Sequence, residues 1–150
     1  MTSKEGDMIM PKSILIPVAI DHEALVAEKI ALARQLLAPG GTITLVTVLE
    51  QIPGFAAEFV TVKSENHLTA RMMEKLKSVA GDADDINCKI TTGKPGVRIP
   101  ALAREIGADL IIVGAHHPSA VDYFLGSTAS RVSRRAACSV YIFRPNASGQ

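Results

Sequence analysis

Two glycines that bracket a short stretch, Gly114 and Gly126 in GAHHPSAVDYFLGSTAS, gather residue types suited to holding a phosphate group. Gly126 precedes Ser127, Thr128 and Ser130, which fall in the expected first turn of a helix. Amides in a first turn have no partner inside the helix. With the positive end of the helix dipole they form a ready anion site, and hydroxyls in the same turn add donors. Gly114 ends an apolar run, where a missing side chain lets the backbone turn sharply or lets another group come close. The plain alternative is that Ser127 or Thr128 caps the helix and Gly126 permits the turn into it. The chain holds neither a G-x-x-x-x-G-K-[ST] nor a G-x-G-x-x-G string, so a nucleotide would be held outside those two familiar loops.

The neighbouring side chains narrow the chemistry further. His116 and His117 are adjacent, so on an extended stretch they point to opposite sides and make a poor chelating pair. As a phosphate donor His117 is the better candidate, since an imidazole offers a hydrogen bond and, when protonated, a charge. A solvated loop histidine is the alternative. Arg134 and Arg135 read as a solvated face at the end of the last helix, where cations are favoured, and Arg131, one turn from Ser127, is the arginine placed to reach a phosphate. The serines lack an assigned base, and Cys88 and Cys138 lie in apolar or strand contexts that predict inert thiols. No catalytic residue and no metal ligand set is assigned.

Composition sets the bounds. At 150 residues the chain has the size of a single domain. Hydrophobic residues make up 47% and aromatics 4%, so Ile, Val, Leu, Ala and Met must build the core. With 16 basic and 15 acidic residues the formal charge is +1, which supplies no electrostatic footprint for gripping nucleic acid or an anionic membrane. The two cysteines show no zinc spacing and no disulfide framework, which points to a reducing compartment. Residues 1–12 carry no apolar signal-like stretch, and no run is long enough to span a bilayer. A cytoplasmic protein is expected, with a frayed leader over 1–12, one domain over 13–145 and a tail over 146–150.

The elements that must position the glycines follow from apolar period. Strands are expected at SILIPVAI from Ser13, TITLVTVL from Thr42, INCKIT from Ile86, DLIIVG from Asp109 and SVYIF from Ser139. Between them Val26, Ile30, Ala33 and Leu37 mark one helix, and Leu68, Met72, Leu76 and Val79 a second. Ile99, Leu102 and Ile106 mark a third helix closed by Gly107, and Ala129, Val132 and Ala136 a fourth. Strict alternation of helix and strand gives a parallel five-stranded α/β sheet with helices on both faces and right-handed crossovers. In such open sheets ligands sit beyond the carboxyl ends of the strands, where the strand order reverses. Pro17 predicts a bulge, a kink or an early end to pairing in the first strand. Pro100 predicts that the third helix begins close to it. The connection over residues 50–66 has no clear period and reads as a lid, a contact surface or a tolerated long loop.

Residues 108–145, ADLIIVGAHHPSAVDYFLGSTASRVSRRAACSVYIFRP, resemble the C-terminal signature of the universal stress protein family. The likeness extends to the opening ILIPV, to TGKP after the third strand and to the order of elements over nearly the whole chain. In the ATP-binding branch the motif is a glycine, two residues, a glycine, nine residues, then a glycine followed by Ser or Thr. Here His117 stands at the second glycine and the following spacing is one residue shorter. A subgroup carries a shortened loop with a His, a basic residue and Pro, and HHPSAVDYFLGS is similar to it.

The resemblance implies a flavodoxin-like, Rossmann-like single domain that binds ATP, with or without magnesium. By carry-over Gly114, Gly126, Ser127 and Thr128 would meet the phosphates, with His116 and His117 beside them. Val18, Ala19 and Asp21 at the end of the first strand, and Val48 at the end of the second, would line the adenine side. The family places an aspartate where this chain has Ala19; Asp21 lies two residues on, and its other reading is an N-cap for the first helix. The resemblance also implies a homodimer through the last strand, Val140, Tyr141, Ile142 and Phe143, and a regulatory role in the stress response. Two alternatives stand beside it. One is a nucleotide-free interaction module of the same fold with an unidentified protein partner, and the other a slow autophosphorylating or ATP-hydrolysing protein.

Overall fold

The structure, a computed structural model, describes residues 10–19, 23–50, 62–115 and 125–144. Its elements run β1 (Ser13–Pro17), α1 (Glu23–Leu36), β2 (Thr42–Leu49), α2 (Val62–Ala80), β3 (Ile86–Thr92), α3 (Pro95–Ile106), β4 (Leu110–Gly114), α4 (Ser127–Arg135) and β5 (Ser139–Phe143). The five strands form one sheet in the order β3-β2-β1-β4-β5, with every pairing parallel. The expected α/β architecture is therefore the observed one.

Strand alternation sorts the core into two halves. Ile14, Ile16, Ile43, Leu45 and Ile112 face one way and pack with Val26 and Ala33 of α1 and Leu76 of α2. Leu15, Val46, Ile111 and Val113 face the other way, against Ile99 and Leu102 of α3 and Ala129 and Val132 of α4. Two helices thus cover each face, which is why the central strands β1 and β4 are apolar almost throughout.

The amino ends of the strands are stitched to one another. Asp109 Oδ2 accepts from the amides of Lys12 at 2.8 Å and Ser13 at 3.2 Å, while the Asp109 amide donates to the Ser13 carbonyl at 2.8 Å. Further out, Arg34 grips Asp85 with two nitrogens at 2.6 and 2.9 Å, joining the end of α1 to the start of β3. That fork-on-fork pair holds the Asp85 carboxyl below its ordinary value and the Arg34 guanidinium above its own. These contacts tie the amino ends of the strands to one another.

Three expectations are met or corrected in detail. β1 ends at Pro17, the early end of pairing foreseen there; the chain nevertheless stays against β2, since the Val18 amide donates to the Val46 carbonyl at 2.7 Å. The third helix does not begin near Pro100. It begins at Pro95 and holds Pro100 in its interior. Proline there leaves the Gly96 carbonyl without its helical donor, and Arg135 of α4 supplies one through Nη1 at 3.4 Å. Finally, the aperiodic connection is shorter than it reads: α2 starts at Val62, so residues 62–66 are helical, and the rest of that connection after Glu50 lies outside the described residues.

Candidate functional site

Strand order reverses between β1 and β4, so the switch point lies at Val18 and Ala19 on one side and Gly114 and Ala115 on the other. The last helix is delivered to this point by one tight contact: the Gly126 amide donates to the Ala115 carbonyl at 2.6 Å. The chain thus leaves the end of β4 and comes back to it before α4 begins.

Among the described residues nothing hydrogen-bonds to the first-turn amides of α4. Its N-cap is Gly126, in an extended conformation with φ −62° and ψ 159°, and no side chain caps the helix. The first intrahelical bond runs from the Ser130 amide to the Gly126 carbonyl at 2.9 Å, which leaves the amides of Ser127, Thr128 and Ala129 ahead of the hydrogen-bonded ladder. No acidic side chain occupies that turn. The alternative in which Ser127 or Thr128 caps α4 is corrected: both lie inside the helix, past the cap, with Ser127 exposed and Thr128 half-buried.

Gly114 is absent from the glycines with positive φ, so backbone twist does not require a glycine there. A Cβ placed there would stand 3.3 Å from Nζ of Lys29 and 3.8 Å from its Cε. Lys29 is 8% exposed and sits on the inner face of α1, between Val26 and Ala33. Burial pushes its ammonium below the ordinary lysine value. Lys29 was missed by motif reasoning. The signal was available, since a lysine three residues after Val26 and four before Ala33 falls on the apolar stripe of α1.

The other named residues divide clearly. Val18 is buried with both backbone groups engaged, its carbonyl accepting from the Thr47 hydroxyl at 3.1 Å. Ala19 is exposed just beyond β1, and Val48 is half-buried near the end of β2. Asp21, His116 and His117 lie outside the described residues. Arg131 turns toward α3: a Cβ on Gly96 would stand 2.8 Å from its Cδ and 2.9 Å from its Cβ. Arg134 and Arg135 are exposed, as a solvated helix face requires, and Arg135 also donates to the Gly96 carbonyl. The thiols of Cys88 and Cys138 are half-buried, and burial raises both above the ordinary thiol range, which opposes thiolate chemistry. Among the described residues no group of three or more His, Cys, Asp or Glu could hold a metal ion, and no helix is long and apolar enough to cross a membrane.

Comparison with known proteins agrees with this fold. Residues 10–144 match the family described as the universal stress protein family. Universal stress protein G of Shigella flexneri is 30% identical over 144 residues, covering 90% of this chain and 100% of that protein. Among solved structures, hypothetical protein MJ0577 superposes with a TM-score of 0.72 at 24% identity, over 93% of this chain and 100% of that one. A universal stress protein in complex with cAMP gives 0.58 at 22% identity, over 91% and 99%.

Proposed function

The chain belongs to the universal stress protein family, and from that premise we propose that it is an ATP-binding member, working as a regulatory homodimer in the stress response rather than as a fast enzyme. The observation that carries the reading is the open first turn of α4, held against the end of β4 at the switch point by the 2.6 Å bond from Gly126 to Ala115. Unpaired amides at a helix start are suited to phosphate oxygens, and the strand ends beside them are where open α/β sheets take nucleotides. A structure of the same fold holds cAMP, an adenine nucleotide, which supports the ligand class.

In this reading Gly126, Ser127 and Thr128 meet the phosphates, with Gly114 beneath them and His116 and His117 on the connection between. Val18, Ala19, Asp21 and Val48 line the adenine side. Magnesium, if bound, would be held by the phosphates, since the described residues offer no ligand cluster for it, and would supply positive charge to them. Among the described strands β5 lies at the sheet edge with only β4 beside it, and its Tyr141 is 41% exposed; pairing Val140, Tyr141, Ile142 and Phe143 with the same strand of a second copy would cover that edge. In the same reading residues 13–145 are the domain, with 1–12 a leader and 146–150 a tail.

One observation favours a second reading. Ala19 is exposed and its methyl side chain offers no hydrogen bond to an adenine amine, as expected of a nucleotide-free interaction module. Thermal unfolding separates the two. A ligand present at a hundredfold excess over its dissociation constant stabilises the folded chain by about 2.7 kcal/mol, which for a domain of this size raises the melting temperature by roughly 5–11 °C. ATP with magnesium is expected to produce a rise of that order. An unchanged melting temperature at millimolar ATP would favour the interaction module.

A further inference from the structure

We infer that Lys29 is a ligand-binding residue of this crevice, contributing the positive charge that holds an anionic phosphate group at the end of β4. The inference rests on the nucleotide reading of the same site and adds to it a residue on α1, on the sheet face opposite α4. Lys29 as a whole is 8% exposed, so its ammonium is held at the edge of an apolar stripe with little water around it, which is costly unless an opposite charge answers it. Among the described residues none forms a hydrogen bond or ion pair with it. Nor is any polar side-chain atom of the described residues sealed away without a partner, so the ammonium keeps an outlet.

The outlet is at Gly114. The 3.3 Å between Nζ and the point where a Cβ would stand means that the missing side chain makes the room for this cation. Gly114 leads into Ala115, whose carbonyl anchors the start of α4. The end of β4 is thereby flanked by a buried positive charge from α1 and by open amides from α4. A group with several phosphate oxygens and more than one negative charge can use both, because neutral amides give direction and the lysine gives charge. The ligand class implied is a polyphosphate, carried by a nucleotide or free.

The test uses the full chain, with ATP and inorganic tripolyphosphate as probes, and compares wild type with Lys29→Met and Gly114→Ala. Methionine keeps the length and fills the apolar slot. Lys29→Met should therefore melt at or above the wild-type temperature without ligand, yet bind both probes about tenfold to a hundredfold more weakly, the loss of one charge-assisted contact. Gly114→Ala keeps the charge but displaces it, and should weaken both probes as well; it carries the test if the methionine variant does not fold. Unchanged affinity of a folded Lys29→Met variant for both probes would overturn the assignment while leaving ATP binding intact. Lys29-dependent binding of tripolyphosphate by a wild type that ignores ATP would support the lysine and overturn the nucleotide reading. Wild type binding neither probe would overturn both.

Discussion

Replacing Gly126 by valine together with Ser127 by alanine is expected to weaken ATP binding by about a hundredfold or more while leaving the fold in place. Gly126 sits at φ −62° and ψ 159°, a conformation that valine adopts without strain, so the backbone need not move. What changes is the mouth of α4. A branched side chain enters at the cap, where glycine has none, and a hydroxyl leaves the first turn. Hydrogen bonds to a charged partner contribute about 1.5–3 kcal/mol each, so losing one and crowding another gives a loss of that order. Equilibrium dialysis against labelled ATP measures it, with circular dichroism to check the helices. A folded double variant that binds as tightly as wild type would place the phosphates elsewhere.

The second large effect falls on stability. Ile112 is fully buried in β4, in the half-core beneath α1, and its strand carries Gly114 to the switch point. Ile112→Ala removes three carbons from a packed interior, and the expected cost is about 2–5 kcal/mol from lost transfer energy and the cavity left behind. That is a large share of the roughly 5–15 kcal/mol by which a domain is stable, and it corresponds to a fall in melting temperature of roughly 4–20 °C. Urea titration should show an earlier midpoint with an unchanged slope. A loss below about 1 kcal/mol would mean that the core around β4 collapses to fill the gap.

The contrast between those two residues shows what a linear chain makes legible. Ile112 announces its burial, because a five-residue apolar run ending in glycine reads as a central parallel strand. The runs from Thr42 and Ser139 gave their strands end to end for the same reason. The closure of α3 was equally plain: Gly107 takes φ 68° at the cap, a left-handed conformation that a glycine reaches at little cost.

Where reading along the chain failed, the cause lay in another element. Pro100 looked like a helix start since its missing amide has no answer in its own helix; the answer, Arg135, comes from α4. After Val62 the first residues of α2, KSENH, are polar and carry no apolar stripe, so the helix had no signature before Leu68. Lys29 is the instructive case at the site itself. A lysine on an apolar stripe reads as a long stem with its charge reaching water. Only the sheet places it over Gly114, where a side chain would press on its ammonium.

The central claim is that the crevice at the reversal between β1 and β4 takes ATP. Calorimetric titration of the purified wild-type chain with ATP and magnesium tests it most directly. Saturable binding in the micromolar range, at one nucleotide per chain, is the predicted result. A flat titration with and without magnesium would contradict the claim, and would make this fold in this chain a surface for protein partners instead.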